Sequence, residues 1–435
     1  MERESYWDVV VIGGGPAGMM AAGRAAARGR RVLLLEKNPT LGKKLLITGG
    51  GRCNVTNNKP VVREMLSKYK ENGKFLFSAF SQFGVKETLE FFQQQGMAIK
   101  EEAEGRLFPA TEKARTVLDV LIHVMRKHGV KVRTASTVAG ITYDATASQV
   151  VVTLSDGFII RAASCVVASG GTSHPETGST GEGFMWMKLL GHTIVKDDAS
   201  LVPIALSDAW VREAAGVTLP AIKLTTYLHG KKQNVYKGKL LFTHFGVSGP
   251  TILNMSQDVG ELLRQSNDPE YIRKTQDVVD APKAHQGVTM NLDIFPTLDN
   301  AALRKKVQSL LIEQSNKKIK NVLAEIMAPA LVTPILALAK IDGETPCHSV
   351  RHEERTELVA LLKAIPLHVV SLLGKEKAIV SSGGVSLDEV DFKTMQSRLI
   401  PALYLVGDIL NIDRPSGGYS LQLCWTTGYV AGDHC

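Results

Sequence analysis

The chain has no C-x-x-C pair: its five cysteines, Cys53, Cys165, Cys347, Cys424 and Cys435, stand far apart. That scatter argues against a zinc site, a dithiol redox centre and a disulfide framework, and no metal site is expected. Long lipid-compatible runs are missing too. The nearest stretch, 322–339, carries Glu325, Pro329 and Pro334, which disqualify it as a lipid-facing span. The chain opens Met1-Glu2-Arg3-Glu4 ahead of a short, glycine-ended apolar run, unlike a signal peptide. These absences predict a reduced, cytoplasmic protein without a membrane partner. There is no long Lys/Arg block, so the formal charge of +8 carries no strong nucleic-acid signal. A generally basic surface or an anionic substrate accounts for it. Internal repeats and low-complexity tracts are absent, and nothing in the sequence sets the oligomeric state.

What is present is a soluble composition, 44% apolar and 22% charged, over 435 residues, enough for two or three domains. The informative stretch lies at the start. Trp7-Asp8-Val9-Val10-Val11-Ile12 reads as a buried strand and runs into Gly13-Gly14-Gly15-Pro16-Ala17-Gly18, a G-x-G-x-x-G. An alanine-rich helix over 19–28 follows, then a second strand, Arg31-Val32-Leu33-Leu34-Leu35, ending in Glu36. This βαβ order predicts dinucleotide binding. Gly13 permits the turn, Gly15 admits a pyrophosphate to the backbone N–H groups, and Gly18 allows tight helix–sheet packing. The helix N-terminus, which opens at Pro16 and Ala17, offers unpaired N–H donors, Pro16 itself having none, and a partial positive charge. Glu36, 18 residues after Gly18, has the spacing of a ribose-binding carboxylate.

A second glycine-rich segment runs from Leu41 through Lys44, Thr48, Gly49, Gly50, Gly51, Arg52, Cys53 and Asn54. It lacks the spacing of a triphosphate loop and suits backbone lying against a flat ring. Helices are predicted over 75–95 and 114–128, strands around 131–138 and 149–154, and a hairpin at Asp156-Gly157. Ser164 to Val167 is a further strand, ending in Ala168-Ser169-Gly170-Gly171 and expected to rejoin the first sheet. From about 197 the texture changes to strands near 222–227 and 239–242, a charged stretch over 264–283, and helices from 301 onward. The first pattern resumes at 378–385, then Leu403 to Val406 ends in Gly407-Asp408, and Gly417-Gly418-Tyr419-Ser420 leads into a last helix from Leu421. We therefore place a first domain part at 1–196, an insert at 197–345 and a second domain part, with a preceding helix, at 346–435. Glycine-ended strands from both ends of the chain point to FAD, an extended ligand, rather than NAD.

The residues from Val11 to Gly18, Glu36-Lys37-Asn38, Gly42 to Asn54, Leu241 to Pro250, Gly417 to Tyr419 and Gly428 to Gly432 resemble the BaiN-like, aminoacetone-oxidase-like family of FAD-binding, NAD(P)/FAD-dependent oxidoreductases. The resemblance covers nearly the whole chain. It implies an α/β fold: a split Rossmann-type FAD domain of the glutathione-reductase type with an inserted β-barrel plus helical portion. It also implies that Glu36 holds the adenosine ribose, that Val138 meets adenine through its backbone, and that Gly407 and Asp408 hold the ribityl chain. Family members oxidise amines or reduce conjugated double bonds, so the implied substrate is a small or medium organic molecule.

In that setting the flavin performs hydride chemistry and the protein tunes it. The last helix, from Gly418, should aim its N-terminus at the ring. Candidate proton-transfer residues are His174 and His244, and Arg52 or Arg106 could clamp an anionic group. Cys53 has no partner for a redox pair. No second G-x-G-x-x-G exists for a nicotinamide nucleotide, so NAD(P)H is expected as a transient donor or oxygen as an acceptor. The competing readings are an NAD-dependent dehydrogenase and a non-catalytic flavin- or RNA-binding accessory protein.

Overall fold

The computed structural model describes residues 4–195, 202–266, 287–373 and 383–435. They divide into two compact units, Met1–Ala199 with Ala378–Cys435, and Ser200–Lys377.

In the first unit, the opening strand Glu4–Ile12 is fully buried at Val9, Val10 and Val11. A strand apolar on both faces belongs in the middle of a covered parallel sheet. It pairs in parallel with Val32–Leu35 on one side and Ile159–Val167 on the other. Lys131–Arg133 extends one edge. Ile159–Val167 also pairs in parallel with Leu403–Leu405 and antiparallel with Gln149–Leu154, which continues through Val138–Asp144. The sheet thus has seven strands, one of them supplied from near the C-terminus. The helix Pro16–Ala27 packs against the last helix, Tyr419–His434, with a core of Met19, Met20, Val430 and Ala431. The expected single helix over 75–95 is two helices, Gly73–Gln82 and Val85–Gln94. Gly84 separates them in extended backbone, and its N–H donates to the Glu87 carboxylate, a cap that starts the second helix.

The second unit is a closed barrel. Its strand order is Ile204–Leu206, Gly246–Ser248, Lys231–Thr243, Thr218–Leu228, Val288–Asp293, Ile365–Leu372. Alternation decides which side is inside: Ile222, Leu224, Leu240, Phe242, Met290, Leu292, Ile365 and Leu367 fill the interior. Helices Pro250–Ser266, Asn300–Glu313, Pro329–Leu338 and His352–Lys363 complete the unit.

The domain boundary read at 345/346 requires correction. Ile365–Leu372 pairs antiparallel with both Val288–Asp293 and Ile204–Leu206, so it closes the barrel, and His352–Lys363 packs beside it. The second unit therefore reaches 377 instead of 345. Strand closure of this kind joins residues some 160 positions apart, which local composition does not register. Residues 378–382 of the expected strand lie outside the described residues; Gly384–Val385 pairs antiparallel with Ile194–Val195.

Candidate functional site

The opening helix starts directly from the glycine turn. Its N-cap, Gly15, is extended and supplies no side-chain cap. The N–H groups of the first turn are thus left to whatever occupies the space in front of them. That space is a cleft of about 860 Å³, open to solvent and lined by residues of the first unit. No atom lies within 4 Å of where a Cβ on Gly15 would stand. Gly13, Gly15, Pro16, Ala17, Glu36, Lys37, Lys44, Val138, Ala168, Gly170 and Asp408 all line it.

Glu36 is buried, with one carboxylate oxygen accepting from the Gly14 N–H at 2.7 Å and the other from the Asn38 backbone and side-chain N–H groups at 2.8 and 2.7 Å. Those bonds fix the carboxylate beside the cleft while leaving lone pairs that a ribose hydroxyl can donate to. Lys44 donates to the Ser173 hydroxyl at 3.0 Å and stands 3.9 Å from Asp408. Burial lowers the Lys44 pKa, an effect the Asp408 charge opposes. Asp408 is ion-paired with Arg414, whose guanidinium is 1% exposed. Arg414 also donates to the Ile412 carbonyl at 2.7 Å and the Ser420 hydroxyl at 3.1 Å. Burial pushes the Asp408 pKa up, but the Arg414 and Lys44 charges together hold it below the usual carboxylate range.

Other expected site residues lie off the cleft lining. Gly18 faces the glycine turn itself, where a Cβ would meet the Gly13 carbonyl oxygen at 1.9 Å. Gly407 donates its N–H to the Thr427 hydroxyl at 3.0 Å, and Gly171 is buried just past Gly170. The segment Thr48–Gly51 forms one tight turn after the helix Lys43–Ile47. Thr48 donates to the Leu45 carbonyl at 2.7 Å. Arg52 pairs with Glu102 at 2.8 Å and stacks 4.3 Å from the Phe108 ring centroid. Cys53 is fully buried, and burial pushes its thiol up to about 12, which suits packing better than redox work. Asn54 presents a buried side-chain oxygen that accepts no hydrogen bond among the described residues.

Gly417, Gly418, Tyr419, Ser420 and Leu421 open the last helix against the segment that follows Asn54. Gly418 has φ +98°, and a Cβ there would lie 2.5 Å from the Thr56 carbonyl carbon. Thr56 donates to Gln422 at 2.6 Å, Trp425 to the Val55 carbonyl at 2.9 Å, and Tyr69 to the Tyr419 carbonyl at 2.8 Å. The glycine-rich segment and the last helix are therefore bound into one wall, although more than 350 residues separate them in sequence.

Of the proton-transfer candidates, His174 occupies the loop after the Ala168–Gly171 stretch, with Nδ1 2.8 Å from a Glu176 carboxylate oxygen. His244 is exposed in the second unit, its ring edge-on to Phe245 at 4.9 Å, and it does not line the cleft. Arg106 donates to the Ala103 carbonyl. Among the described residues no cluster of three or more His, Cys, Asp or Glu could hold a metal. No helix among them is long and apolar enough to cross a membrane. Sequence reasoning missed Arg414, Asn38, Ser173, Ser179, Glu182 and Cys424. Only Asn38, next to Glu36, carried a local signal.

Residues 7–434 match the profile of the HI0933-like protein Rossmann domain. The chain belongs to the HI0933-like family. Two relatives align along their whole length. One is a 3-dehydro-bile acid delta(4,6)-reductase of Clostridium scindens, 29% identical with 97% of each chain covered. The other is a ribosomal RNA dihydrouridine synthase of Escherichia coli, 27% identical over 99% of this chain and 97% of the relative. Among solved structures, a flavocytochrome c3 fumarate reductase shares the fold, with a TM-score of 0.52 at 15% identity, covering 99% of this chain and 78% of that one. The HI0933-like chain is an oxidoreductase built on the nucleotide-binding α/β fold of flavoproteins.

Proposed function

We propose that the cleft binds FAD and that the enzyme reduces a carbon–carbon double bond conjugated with a carbonyl. The observation that carries this reading is the uncapped helix N-terminus with the Glu36 carboxylate fixed beside it. The reaction class is supported by the two whole-length relatives, since a delta(4,6)-reductase and a dihydrouridine synthase are both named for adding hydrogen across a double bond.

In this reading the N–H groups of Gly15 and Ala17 and the Lys44 ammonium bind the pyrophosphate. Glu36 accepts from the adenosine ribose, Val138 borders the adenine, and Asp408, oriented by Arg414, accepts from the ribityl hydroxyls. The wall of Gly49 to Asn54 and Gly417 to Leu421 receives the ring, with the Asn54 oxygen as an acceptor for a ring N–H. Once bound, FAD supplies two-electron hydride chemistry. The net change breaks the π bond, adds a hydride at the carbon β to the carbonyl and a proton at the α carbon, and oxidises NAD(P)H, the proposed donor.

Anaerobic stopped-flow spectroscopy tests this. NADH or NADPH should bleach the flavin, and a conjugated enone or a uridine-containing RNA should restore its colour. Bleaching by amines alone, with no enone or uridine restoring the oxidised spectrum, would overturn the proposal in favour of amine oxidation.

A further inference from the structure

Two lips of the cleft in the first unit are tied together by side chains. One lip is 36–44, after the second strand; the other is 172–181, which leads into the helix Glu182–Leu189. Lys37 donates to the Thr180 hydroxyl at 2.7 Å and to the Glu182 carboxylate at 2.8 Å. The Asn38 amide, which also holds Glu36, donates to the Thr177 carbonyl at 3.0 Å. Lys43 donates to the Glu176 carbonyl at 2.6 Å, and Lys44 to the Ser173 hydroxyl. In each of these bonds the donor belongs to 36–44.

The other lip is built unlike the sheet behind it. Residues 172–181 contain no apolar side chain apart from Pro175, which is exposed. Its buried members are the hydroxyl residues Ser173, Thr177 and Ser179. The backbone N–H groups of Thr177, Gly178 and Thr180 donate to the carbonyls of His174, Pro175 and Gly178, all within the segment. A segment that buries no hydrocarbon side chain loses little when its hydrogen bonds are exchanged for bonds to water. It therefore opens at lower cost than a packed strand or helix. Thr177, Gly178 and Ser179 also line the cleft, so opening would widen it.

We propose that 172–181 is a strap fastened across the bound dinucleotide, with Lys37 and Lys43 as positioning residues that set how fast FAD enters and leaves. The inference rests on the FAD reading and adds a gate to it. Cofactor passes only while the strap is open, so association and dissociation both scale with the open fraction and their ratio does not. Lys44 differs from the other two lysines. Its ammonium has three donors and serves the strap and the pyrophosphate together.

The test uses full-length protein and follows FAD association and dissociation by stopped-flow fluorescence, with an excess of a tight flavin-binding apoprotein as the trap for dissociation. Lys43→Met/Thr180→Val removes one exposed tie on each side of the Thr177 turn. It should speed association and dissociation about fivefold each, the loss of two hydrogen bonds, and hold the dissociation constant within about twofold. Lys44→Met, which also removes a phosphate contact, should raise the dissociation constant. Hydrogen exchange supplies a readout independent of flavin: in the apoprotein the amides of 172–181 should exchange about fivefold faster in the double variant, with the central sheet unchanged. Unchanged rates and exchange would overturn the strap. So would faster dissociation with unchanged association, the mark of a static contact. Failure of the two readings is separable: an apoprotein that takes up no FAD overturns the cofactor reading, whereas FAD uptake at rates the double variant does not alter overturns the strap alone.

Discussion

In the first unit the cleft is shaped by atoms that are not there, side chains withheld at Gly13 and Gly15 so that backbone N–H groups reach the ligand space. In the barrel the interior is shaped by what is present, alternating side chains such as Leu224, Phe242, Met290 and Leu367 that fill it. Recognition through backbone needs rigid dihedral angles and close approach, so it tolerates almost no substitution. A packed apolar interior tolerates more, because volume-conserving exchanges keep it filled.

Several substitutions would break or sharpen that contrast. The largest effect is expected for Gly418→Leu. The new side chain would be driven into the Thr56 backbone from a φ of +98°. The purified variant should carry under about a tenth of the unaltered 450 nm absorbance per chain, as a strained, overpacked position predicts. Full flavin content would remove the last helix from the ring wall.

Arg414→Met and Lys363→Met form a matched pair, one in each unit. The first leaves Asp408 only the longer Lys44 contact at 3.9 Å, and the second removes the Lys363 ion pair of Asp293. Stranding a buried charge costs about 3–5 kcal/mol, and less where a second cation remains, so both variants should melt earlier. Only Arg414→Met should also weaken FAD binding, measured by fluorescence titration of apoprotein. Equal flavin affinity in the two variants would dissociate Asp408 from the cofactor.

Acid provides a milder probe. Because Asp408 is held below the usual range when folded, the stability it contributes is present above the ordinary aspartate pKa near 4 and fades as pH falls through the folded value. Flavin release on acidification should follow that loss, and Asp408→Asn should flatten the dependence. The smallest effect belongs to Glu344, an exposed barrel-unit carboxylate that Lys318 and Lys320 hold down to about 2. Glu344→Gln should leave the melting temperature unchanged by calorimetry, since exposed pairs are screened by water.

The cleft was largely legible because a glycine spacing and a following acid encode local geometry, and local geometry is what a short motif can carry. Gly13 to Ala17, Glu36 and Lys44 all line the cleft for that reason. Arg414 was not legible: nothing in Asn411-Ile412-Asp413-Arg414 marks a guanidinium that will be buried against Asp408. The barrel was read only as a change of texture. Its closure depends on Ile365–Leu372 finding Ile204–Leu206, a pairing decided by tertiary fit after both strands exist. The break at Gly84 hid because the amphipathic pattern continues on both sides of it.

The bond from Thr56 to Gln422 has a consequence for biosynthesis. The barrel unit is contiguous, Ser200–Lys377, and its strands all leave the ribosome before the first unit receives Leu403–Leu405 and Tyr419–His434. The N-terminal half must therefore wait, its central sheet lacking one strand and its opening helix uncovered, while a whole neighbouring body is being translated. On the proposed FAD reading, the ring wall is complete only once the helix Tyr419–His434 has been made.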